Sequence, residues 1–273
     1  MGLQAARVLA HRGHRVLLTG RDAVGLANAV SDVRAAAPSS DIRSEMLDVS
    51  SFEAIRRFAD GELARESRFD VVLHNAGVIF AAPQRHLTAD GVEETLAVHA
   101  VGPLLLSKLL MPALARPSRL VFVGSGLHKP GSMGPKVDFR IEDPNLDTRY
   151  HPARAYKNSK LAQIWIAKEW ERRFGPQGLH ADVVCPGFVP VTAGDRSTGA
   201  QRFILRMIMP MMPFANTLEH GAQILVQWCE RDLHEPGGRY FDGKAIVAPS
   251  VDAQEMSRAL EFYSWAEQAI SRA

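Results

Sequence analysis

Short apolar runs alternate with longer amphipathic segments along most of the chain. From Leu3 to Gly13 the apolar residues recur at helical spacing, which predicts a helix that ends at the glycine. The next run, HRVLLTG (14–20), is apolar and ends in a turn, which predicts a buried strand. The same reasoning predicts further strands at 41–49, 69–77, 119–125, 180–187 and near 239–241. It predicts further helices at 23–36, 51–66, 89–115, 153–174, 217–230 and 253–270.

Continuous apolar strands that alternate with helices are typical of a parallel sheet covered on both faces. Right-handed crossovers make such a sheet doubly wound. We therefore expect an α/β protein of the Rossmann-like kind, with three layers (α/β/α). At 273 residues the chain is expected to form a single domain, 1–273.

Composition narrows the class of protein. A formal net charge of +2 does not indicate a nucleic-acid-binding protein. The two cysteines, Cys185 and Cys229, have no metal or redox spacing, so we expect no metal site and a cytoplasmic location. No apolar run approaches the length of a membrane span, so no transmembrane segment is expected.

In an open parallel sheet, ligands bind beyond the carboxyl ends of the strands. Polar or backbone-permissive residues follow five of the predicted strands, and together they indicate one crevice. They are Gly20-Arg21, Asp48-Val49, Asn75-Ala76-Gly77, Gly124-Ser125 and Pro186-Gly187.

The helix predicted at 153–174 carries candidate acid–base chemistry. Tyr156 and Lys160 are four residues apart and share a helical face. A phenol has a pKa near about 10, which a neighbouring ammonium group lowers. Ser125 ends the preceding strand, where it could orient a substrate oxygen. Taken singly, the Tyr-Lys pair also fits a solvated helix face, and the serine fits a turn or a helix cap.

Together these residues resemble the short-chain dehydrogenase/reductase family. The matching motifs are LDV (47–49), NAG (75–77), VGS (123–125), YKNSK (156–160) and PGFVPVT (186–192). The segments LEHGAQ (218–223) and GGRYFDGK (237–244) look like the retinol-dehydrogenase-like branch, whose members act on lipophilic alcohols, aldehydes and ketones.

The resemblance implies roles for the catalytic set. Tyr156 would be the acid–base, Lys160 would lower its pKa and hold the nicotinamide ribose, and Ser125 would position the substrate oxygen. Further cofactor contacts would come from Asp48 and Val49 at the adenine, from Asn75, Ala76 and Gly77 on the floor, and from Pro186, Gly187, Val189 and Thr192 at the nicotinamide.

Arg21 bears on the choice of cofactor. An acidic residue after the second strand of the family would accept the ribose hydroxyls, whereas an arginine suits a 2′-phosphate. Gly20 and Arg21 stand there, and Asp22 is expected to cap the next helix. This favours NADP, with NAD and a simple surface arginine left open.

The chain departs from the family pattern at its start. The family's first strand and its T-G-x-x-x-G-x-G loop would precede Leu3, and Gly2 would match the last glycine. Either the true start lies upstream or the protein is truncated. The leading expectation is an oxidoreductase that transfers hydride between NADP(H) and an apolar alcohol, aldehyde or ketone. The alternative is a non-catalytic or truncated Rossmann-like binding or regulatory protein.

Three further regions leave alternatives open. His99 stands where the family usually has an asparagine that holds a water for proton relay. A relay role for His99 and an inert helix histidine are both left open. The methionine-rich segment 202–214 belongs to an expected substrate-covering lobe around 190–216, although it also fits an apolar core helix. The helices at 89–115 and 153–174 correspond to those that pair in family dimers and tetramers, although core packing also explains their apolar residues.

Overall fold

The computed structural model describes residues 1–79, 83–132, 134–190 and 215–272. The chain divides into two compact units, and each is described by itself. The first comprises Met1–Asp48 and Pro186–Arg231, and the second comprises Val49–Cys185 and Asp232–Ala273. The expectation of a single domain over 1–273 stays a prediction.

The helices and strands follow one another in the predicted alternation. In chain order they are α1 (Gly2–His11), β1 (Val16–Gly20), α2 (Ala23–Ala36), β2 (Ile42–Met46), α3 (Phe52–Ala64), β3 (Phe69–His74), α4 (Glu94–Leu96), α5 (Gly102–Leu109), β4 (Leu114–Val123), α6 (Pro152–Phe174), β5 (Leu179–Cys185), α7 (Leu218–Cys229), β6 (Tyr240–Asp242), β7 (Ala245–Ile246), α8 (Val251–Gln254) and α9 (Met256–Arg272).

The first unit contains a two-stranded parallel sheet of β1 and β2, in which Val16 lies opposite Ile42 and Gly20 opposite Met46. Helix α2 begins at its predicted residue because the side chain of Asp22 accepts a hydrogen bond from the Gly25 N–H at 2.8 Å. A small apolar core joins α1, α2 and β2, and it includes the residue that directly follows α2. Its members are Ala6, Ala10, Val33, Ala37 and Ile42.

The second unit contains a five-stranded sheet in the order β3-β4-β5-β6-β7. The first four strands are parallel, and β7 runs antiparallel to β6. Every residue of β5 is buried, as expected for a strand covered on both faces. The predicted α/β class with parallel strands is thus confirmed. Among the described residues, β1 and β3 each have a strand neighbour on one side alone.

The single helix predicted at 89–115 is wrong in detail. It divides into α4, a π turn over Ala97–Val101 and α5, and β4 already begins at Leu114. The helix passes so close to the backbone that a β-carbon at Gly102 would overlap the carbonyl oxygen of Val49. Only glycine permits this approach.

The C-terminal region also differs from its prediction. Strand β7 was not expected, and the helix predicted at 253–270 divides into α8 and α9. The backbone is extended at Glu255, which separates the two helices. The Ser250 side chain caps α8 by accepting a hydrogen bond from the Ala253 N–H at 3.3 Å.

The helices expected to pair between subunits bury their apolar side chains within the second unit. Helix α9 packs against α6, and the ring of Phe262 is tilted against that of Trp165 at a centroid distance of 5.9 Å. Core packing therefore explains the apolar pattern, and a homodimer or homotetramer stays a prediction. The buried side chains are Leu104, Leu105, Leu106, Ile164, Trp165 and Ile166. Most of the expected lobe at 190–216, including the segment 202–214, lies outside the described residues.

Candidate active site

Helix α6 carries the predicted acid–base pair on its buried face. The helix begins at Pro152, and His151 caps it by accepting a hydrogen bond from the Ala153 N–H at 3.1 Å. Tyr156 is 7% exposed and Lys160 is 5% exposed. The Lys160 Nζ atom lies 5.7 Å from the centroid of the Tyr156 ring. The four-residue spacing thus brings the two groups together as expected.

Ser125 joins this pair from the end of β4. Its side chain is hydrogen-bonded to the Tyr156 hydroxyl. Its Oγ atom also accepts a hydrogen bond from the Leu127 N–H at 3.3 Å, which caps a short 3-10 turn over Gly126–His128. The structure therefore brings Ser125, Tyr156 and Lys160 into one buried group.

The charge state of Tyr156 differs from the sequence-based expectation. Burial raises the pKa of its phenol to about 12, and the hydrogen bond from Ser125 offsets this only in part. Lys160 does not lower the pKa of the Tyr156 phenol as expected. Burial lowers the pKa of Lys160 itself to about 7, so its amine is only partly charged. Near neutral pH the phenol is therefore a proton donor, and the amine beside it is only partly charged.

Lys160 is held by uncharged partners. Its Nζ atom donates to the carbonyl oxygen of Val123 at 2.7 Å and to Oε1 of Gln163 at 3.1 Å. Sequence reasoning missed Gln163, although its i+3 spacing from Lys160 on the same helix was a usable signal. No carboxylate is among these hydrogen-bond partners, so the buried amine remains able to meet an oxygen-rich or anionic ligand.

The Asn75–Gly77 turn follows β3 and is tied to α6 through His99. Asn75 is half-buried, whereas Ala76 and Gly77 are exposed. The next residue, Val78, donates its backbone N–H to Nε2 of His99 at 3.0 Å.

His99 is fully buried in the π turn, and its Nδ1 atom lies 2.8 Å from the hydroxyl oxygen of Ser159 on α6. The turn and the acid–base helix are therefore joined by one side chain.

A second histidine holds the Ser125 turn. The Nδ1 atom of His128 lies 2.7 Å from the Ser125 carbonyl oxygen, and Nε2 accepts from the Ser250 N–H at 3.2 Å. Sequence reasoning missed His128, because its partner at position 250 is far away in the chain and no local pattern indicates the contact.

The other predicted cofactor residues are distributed between the two units. In the first unit, Arg21 follows β1 with an exposed side chain, and Asp48 follows β2. Also in the first unit, the Pro186 carbonyl accepts a hydrogen bond from the Asn216 side chain at 3.0 Å. It precedes Gly187 and the buried Val189. Val49 belongs to the second unit, beside Gly102. Thr192 lies outside the described residues.

The exposed Arg21 of the first unit is suited to an anionic group. In the described part of the chain, Arg21 makes no hydrogen bond or ion pair, so its guanidinium group is available to an anion. Over the same residues, no three His, Cys, Asp or Glu side chains are grouped as a metal would require.

Comparison with known proteins places this chain in a family. The sequence profile of the short chain dehydrogenase family matches residues 1–135. Retinol dehydrogenase 12 from Bos taurus is 33% identical over 255 residues, which cover 91% of this chain and 77% of that protein. The chain is a short-chain dehydrogenase/reductase. As a member of this family with retinol dehydrogenase relatives, it is an NAD(P)-dependent oxidoreductase that acts on CH–OH groups.

Solved structures agree with the fold of this short-chain dehydrogenase/reductase. An uncharacterised protein from Mycobacterium Paratuberculosis superposes with a TM-score of 0.74 at 26% identity, covering 99% of this chain and 89% of that one. A metagenomic short-chain oxidoreductase in complex with NADP gives a TM-score of 0.61 at 20% identity, covering 91% and 90%. None of the enzyme's described helices has both the length and the apolar character that a membrane crossing requires.

Proposed function

We propose that this enzyme transfers hydride between NADP(H) and an apolar alcohol or carbonyl compound, with Tyr156 as its acid–base. The observation that carries the proposal is the buried group in which Ser125 is hydrogen-bonded to the Tyr156 hydroxyl and Lys160 shares its helix face. This arrangement places one donor and one exchangeable proton where a single substrate oxygen can meet both.

In carbonyl reduction, the proton comes from Tyr156. The phenol is neutral at physiological pH, because its pKa is raised to about 12, and it can protonate the substrate oxygen. Ser125 donates a hydrogen bond to the same oxygen and fixes its orientation. The nicotinamide supplies or accepts the hydride when it is bound.

Lys160 acts on the phenolate that this proton transfer leaves behind. Burial lowers the pKa of its ammonium group to about 7, but a phenolate within reach favours the charged amine. A phenolate on Tyr156 would therefore stabilise the charged form of Lys160 electrostatically. The Val123 and Gln163 partners of Lys160 hold its Nζ atom in place beside the phenol.

The preference for NADP rests on Arg21. Its guanidinium group is exposed directly after β1 and makes no ion pair among the described residues. A planar cation of this kind suits a phosphate group, and so it suits the 2′-phosphate of NADP. The metagenomic relative bound to NADP supports the same choice. We propose further cofactor contacts from Asp48, Val49, Asn75, Ala76, Gly77, Pro186, Gly187, Val189 and Thr192.

The apolar substrate class is supported by the similarity to retinol dehydrogenase 12, whose name indicates a lipophilic alcohol. The methionine-rich sequence at 202–214 agrees with this class, since flexible thioethers line adaptable apolar pockets. The presence and assembly of Ser125, Tyr156 and Lys160 support an enzyme over the alternative of a non-catalytic binding protein.

The decisive experiment removes the Tyr156 hydroxyl, whose proton is exchanged with the substrate. Oxidation of NADPH is followed with a panel of apolar aldehydes and ketones for the parent and for Tyr156→Phe. The variant should lose turnover and keep NADPH binding, because ring packing is retained. Ser125→Ala should lower kcat by about 10²–10³-fold. Tyr263→Phe removes a hydroxyl that has no hydrogen-bond partner in the described structure, and it serves as the control. Turnover by Tyr156→Phe at the parent rate would overturn the mechanism.

Cofactor choice is tested separately. Titration should show tighter binding of NADPH than of NADH, and Arg21→Ala should narrow that difference. Arg15→Ala removes an exposed arginine just before β1 and should leave the difference unchanged. Equal affinities for the two cofactors in the parent would rule out the role given to Arg21.

A further inference from the structure

We propose that His99 is a positioning residue, a neutral imidazole that fixes the Asn75–Val78 turn against α6, and that it is not a proton relay. Its two ring nitrogens contact two different parts of the proposed site. One contact reaches the backbone beyond Gly77, and the other reaches Ser159, one residue before Lys160. The catalytic consequence of this bridge rests on the proposed function, whereas the state of the ring can be measured without it.

Counting hydrogens assigns the ring nitrogens. The Ser159 hydroxyl donates its single proton to the Tyr156 carbonyl oxygen at 2.7 Å. Toward His99 it can therefore only accept, so the Nδ1 atom at 2.8 Å must carry a proton. The Val78 backbone N–H can only donate, so the Nε2 atom at 3.0 Å must be unprotonated. Both contacts agree on one neutral tautomer.

Burial and charge favour the same neutral state. His99 is fully buried, which holds its pKa well below the usual value, and the Lys160 amine acts in the same direction. The Tyr156 ring meets the imidazole edge-on at a centroid distance of 5.5 Å. A doubly protonated ring would also place its Nε2–H group against the Val78 N–H, which would lose its acceptor.

A relay needs a ring nitrogen that can exchange a proton with water. In this structure one nitrogen donates to Ser159 and the other accepts from Val78, so neither is left for a water. The asparagine that the family usually has at this position is shorter and cannot reach both partners. The histidine therefore replaces a water-holding side chain with a direct bridge between the Val78 backbone and the Ser159 hydroxyl.

Gly77 supplies an independent sign of this contact. A β-carbon at position 77 would lie 3.1 Å from the Nε2 atom of His99. The imidazole therefore packs directly against the turn, and a side chain at position 77 would have to displace it. The π turn at Ala97–Val101, with His99 at its centre, presents the ring to the turn.

Three substitutions separate the two contacts. In His99→Asn the amide can reach the place of Nδ1 and keep the Ser159 contact. In His99→Gln the longer amide can reach the place of Nε2 and keep the Val78 contact. His99→Phe retains the ring volume and loses both. His180→Phe is the control, because it removes a histidine that pairs with Glu171 on α6.

The first test reads the tautomer directly. Nitrogen NMR of histidine-labelled protein resolves protonated from unprotonated ring nitrogens, and the His99 signals are those lost in His99→Asn. We expect a protonated Nδ1 and an unprotonated Nε2 throughout the range from about pH 5 to 8, where an ordinary histidine titrates. Titration in that range, or the opposite tautomer, would overturn the proposal. This result does not depend on any substrate being found.

The second test reads positioning. We normalise kcat to the concentration of sites that bind NADPH. On this basis His99→Phe should lower kcat by about 10–100-fold, the scale expected when reacting groups are displaced slightly. The midpoint of its pH–rate profile should stay at the parent value. His99→Phe should also bind NADPH more weakly than the parent. His99→Gln should recover most of that affinity, because its contact with Val78 keeps the turn in place.

Two outcomes contradict the bridge. A shifted pH–rate midpoint in His99→Phe would indicate a relay. A lower thermal midpoint with unchanged kcat per binding site, as expected for His180→Phe, would indicate a merely structural role. Failure of every variant and of the parent to turn over any substrate would instead contradict the proposed function, while the NMR result would still decide the state of His99.

Discussion

His128 bridges the carbonyl oxygen of Ser125 and the backbone N–H of Ser250. Its Nδ1 atom lies 2.7 Å from the first, and its Nε2 atom lies 3.2 Å from the second. The Ser250 N–H can only donate, so the proton of the neutral ring must be on Nδ1. The turn that carries the proposed substrate-orienting serine is therefore fixed to the start of α8.

Replacing His128 should disturb the position of Ser125. His128→Phe keeps an aromatic ring against Tyr240, which His128 meets at a centroid distance of 4.8 Å. It leaves the Ser250 N–H without its acceptor, and the Ser125 carbonyl keeps only a long hydrogen bond of 3.5 Å from the backbone N–H of residue 128. We expect a loss of about 1–3 kcal/mol in unfolding free energy and a lower kcat. Urea unfolding and NADPH-dependent turnover measure the two effects. Unchanged kcat at full occupancy of cofactor would show that the bridge does not reach the serine.

The Arg119–Asp182 ion pair should be important for stability. Both side chains are almost fully buried, and Arg119 also donates to the carbonyl oxygens of Asp232 and Glu235. In the parent the Arg239 N–H donates to Asp182 at 3.0 Å. Asp182→Asn keeps an acceptor for that N–H but leaves the charge of the Arg119 guanidinium uncompensated. Unfolding free energy should fall by about 3–5 kcal/mol.

A double variant provides the control for this ion pair. Arg119→Met combined with Asp182→Leu removes both charges, so it should cost less than Asp182→Asn alone, as is found when buried pairs are replaced by apolar residues. Urea denaturation of the parent and of the two variants gives the comparison. A loss below about 1 kcal/mol for Asp182→Asn would mean that water reaches the arginine.

His74 should make the protein sensitive to acid. Burial lowers its pKa to about 3, so the unfolded chain binds a proton that the folded chain refuses between about pH 6.5 and 3. Stability should therefore decrease as the pH falls through this window, by up to about 1.4 kcal/mol per pH unit from this residue. The effect should be absent at neutral pH.

His74→Phe isolates that contribution, because the new ring can retain the stacking on Phe122. Ser107 loses its contact with the imidazole but still donates to the Pro103 carbonyl at 2.7 Å. Unfolding free energies measured between about pH 4 and 7 should depend less steeply on pH in the variant. Parallel curves for the two proteins would exclude His74 as a source of acid sensitivity.

The direction of catalysis should depend on pH through Tyr156. Carbonyl reduction uses the protonated phenol, which is abundant because its pKa is raised to about 12. Alcohol oxidation uses the phenolate, so its kcat should rise with pH, by up to about tenfold per unit. Initial rates in both directions across the neutral and alkaline range test this. An oxidation rate that is flat with pH would assign the base to another group.

Much of the fold was predictable because local patterns determine it. Helix α2 has its predicted bounds because apolar spacing and the Asp22 cap both lie within a few residues. The grouping of Ser125, Tyr156 and Lys160 was also predictable, from strand ends and i,i+4 spacing. The sign of the Tyr156 pKa shift was not, because it depends on burial by distant parts of the chain. His128 was missed for the same reason, since its partner at Ser250 is 122 residues away.

The π turn at Ala97–Val101 determines which residue of the following helix faces Val49. A π turn contains one residue more than a regular helix of the same rise, which corresponds to about 100° of rotation. If the same sequence continued as a regular helix from Leu96, Val101 would come to the place where Gly102 now approaches Val49. The extra residue is thus what delivers a glycine to the point of closest approach. Deleting Ala100 should restore regular helical hydrogen bonding with that glycine still in place, whereas a substitution leaves the residue count, and with it the turn, unchanged.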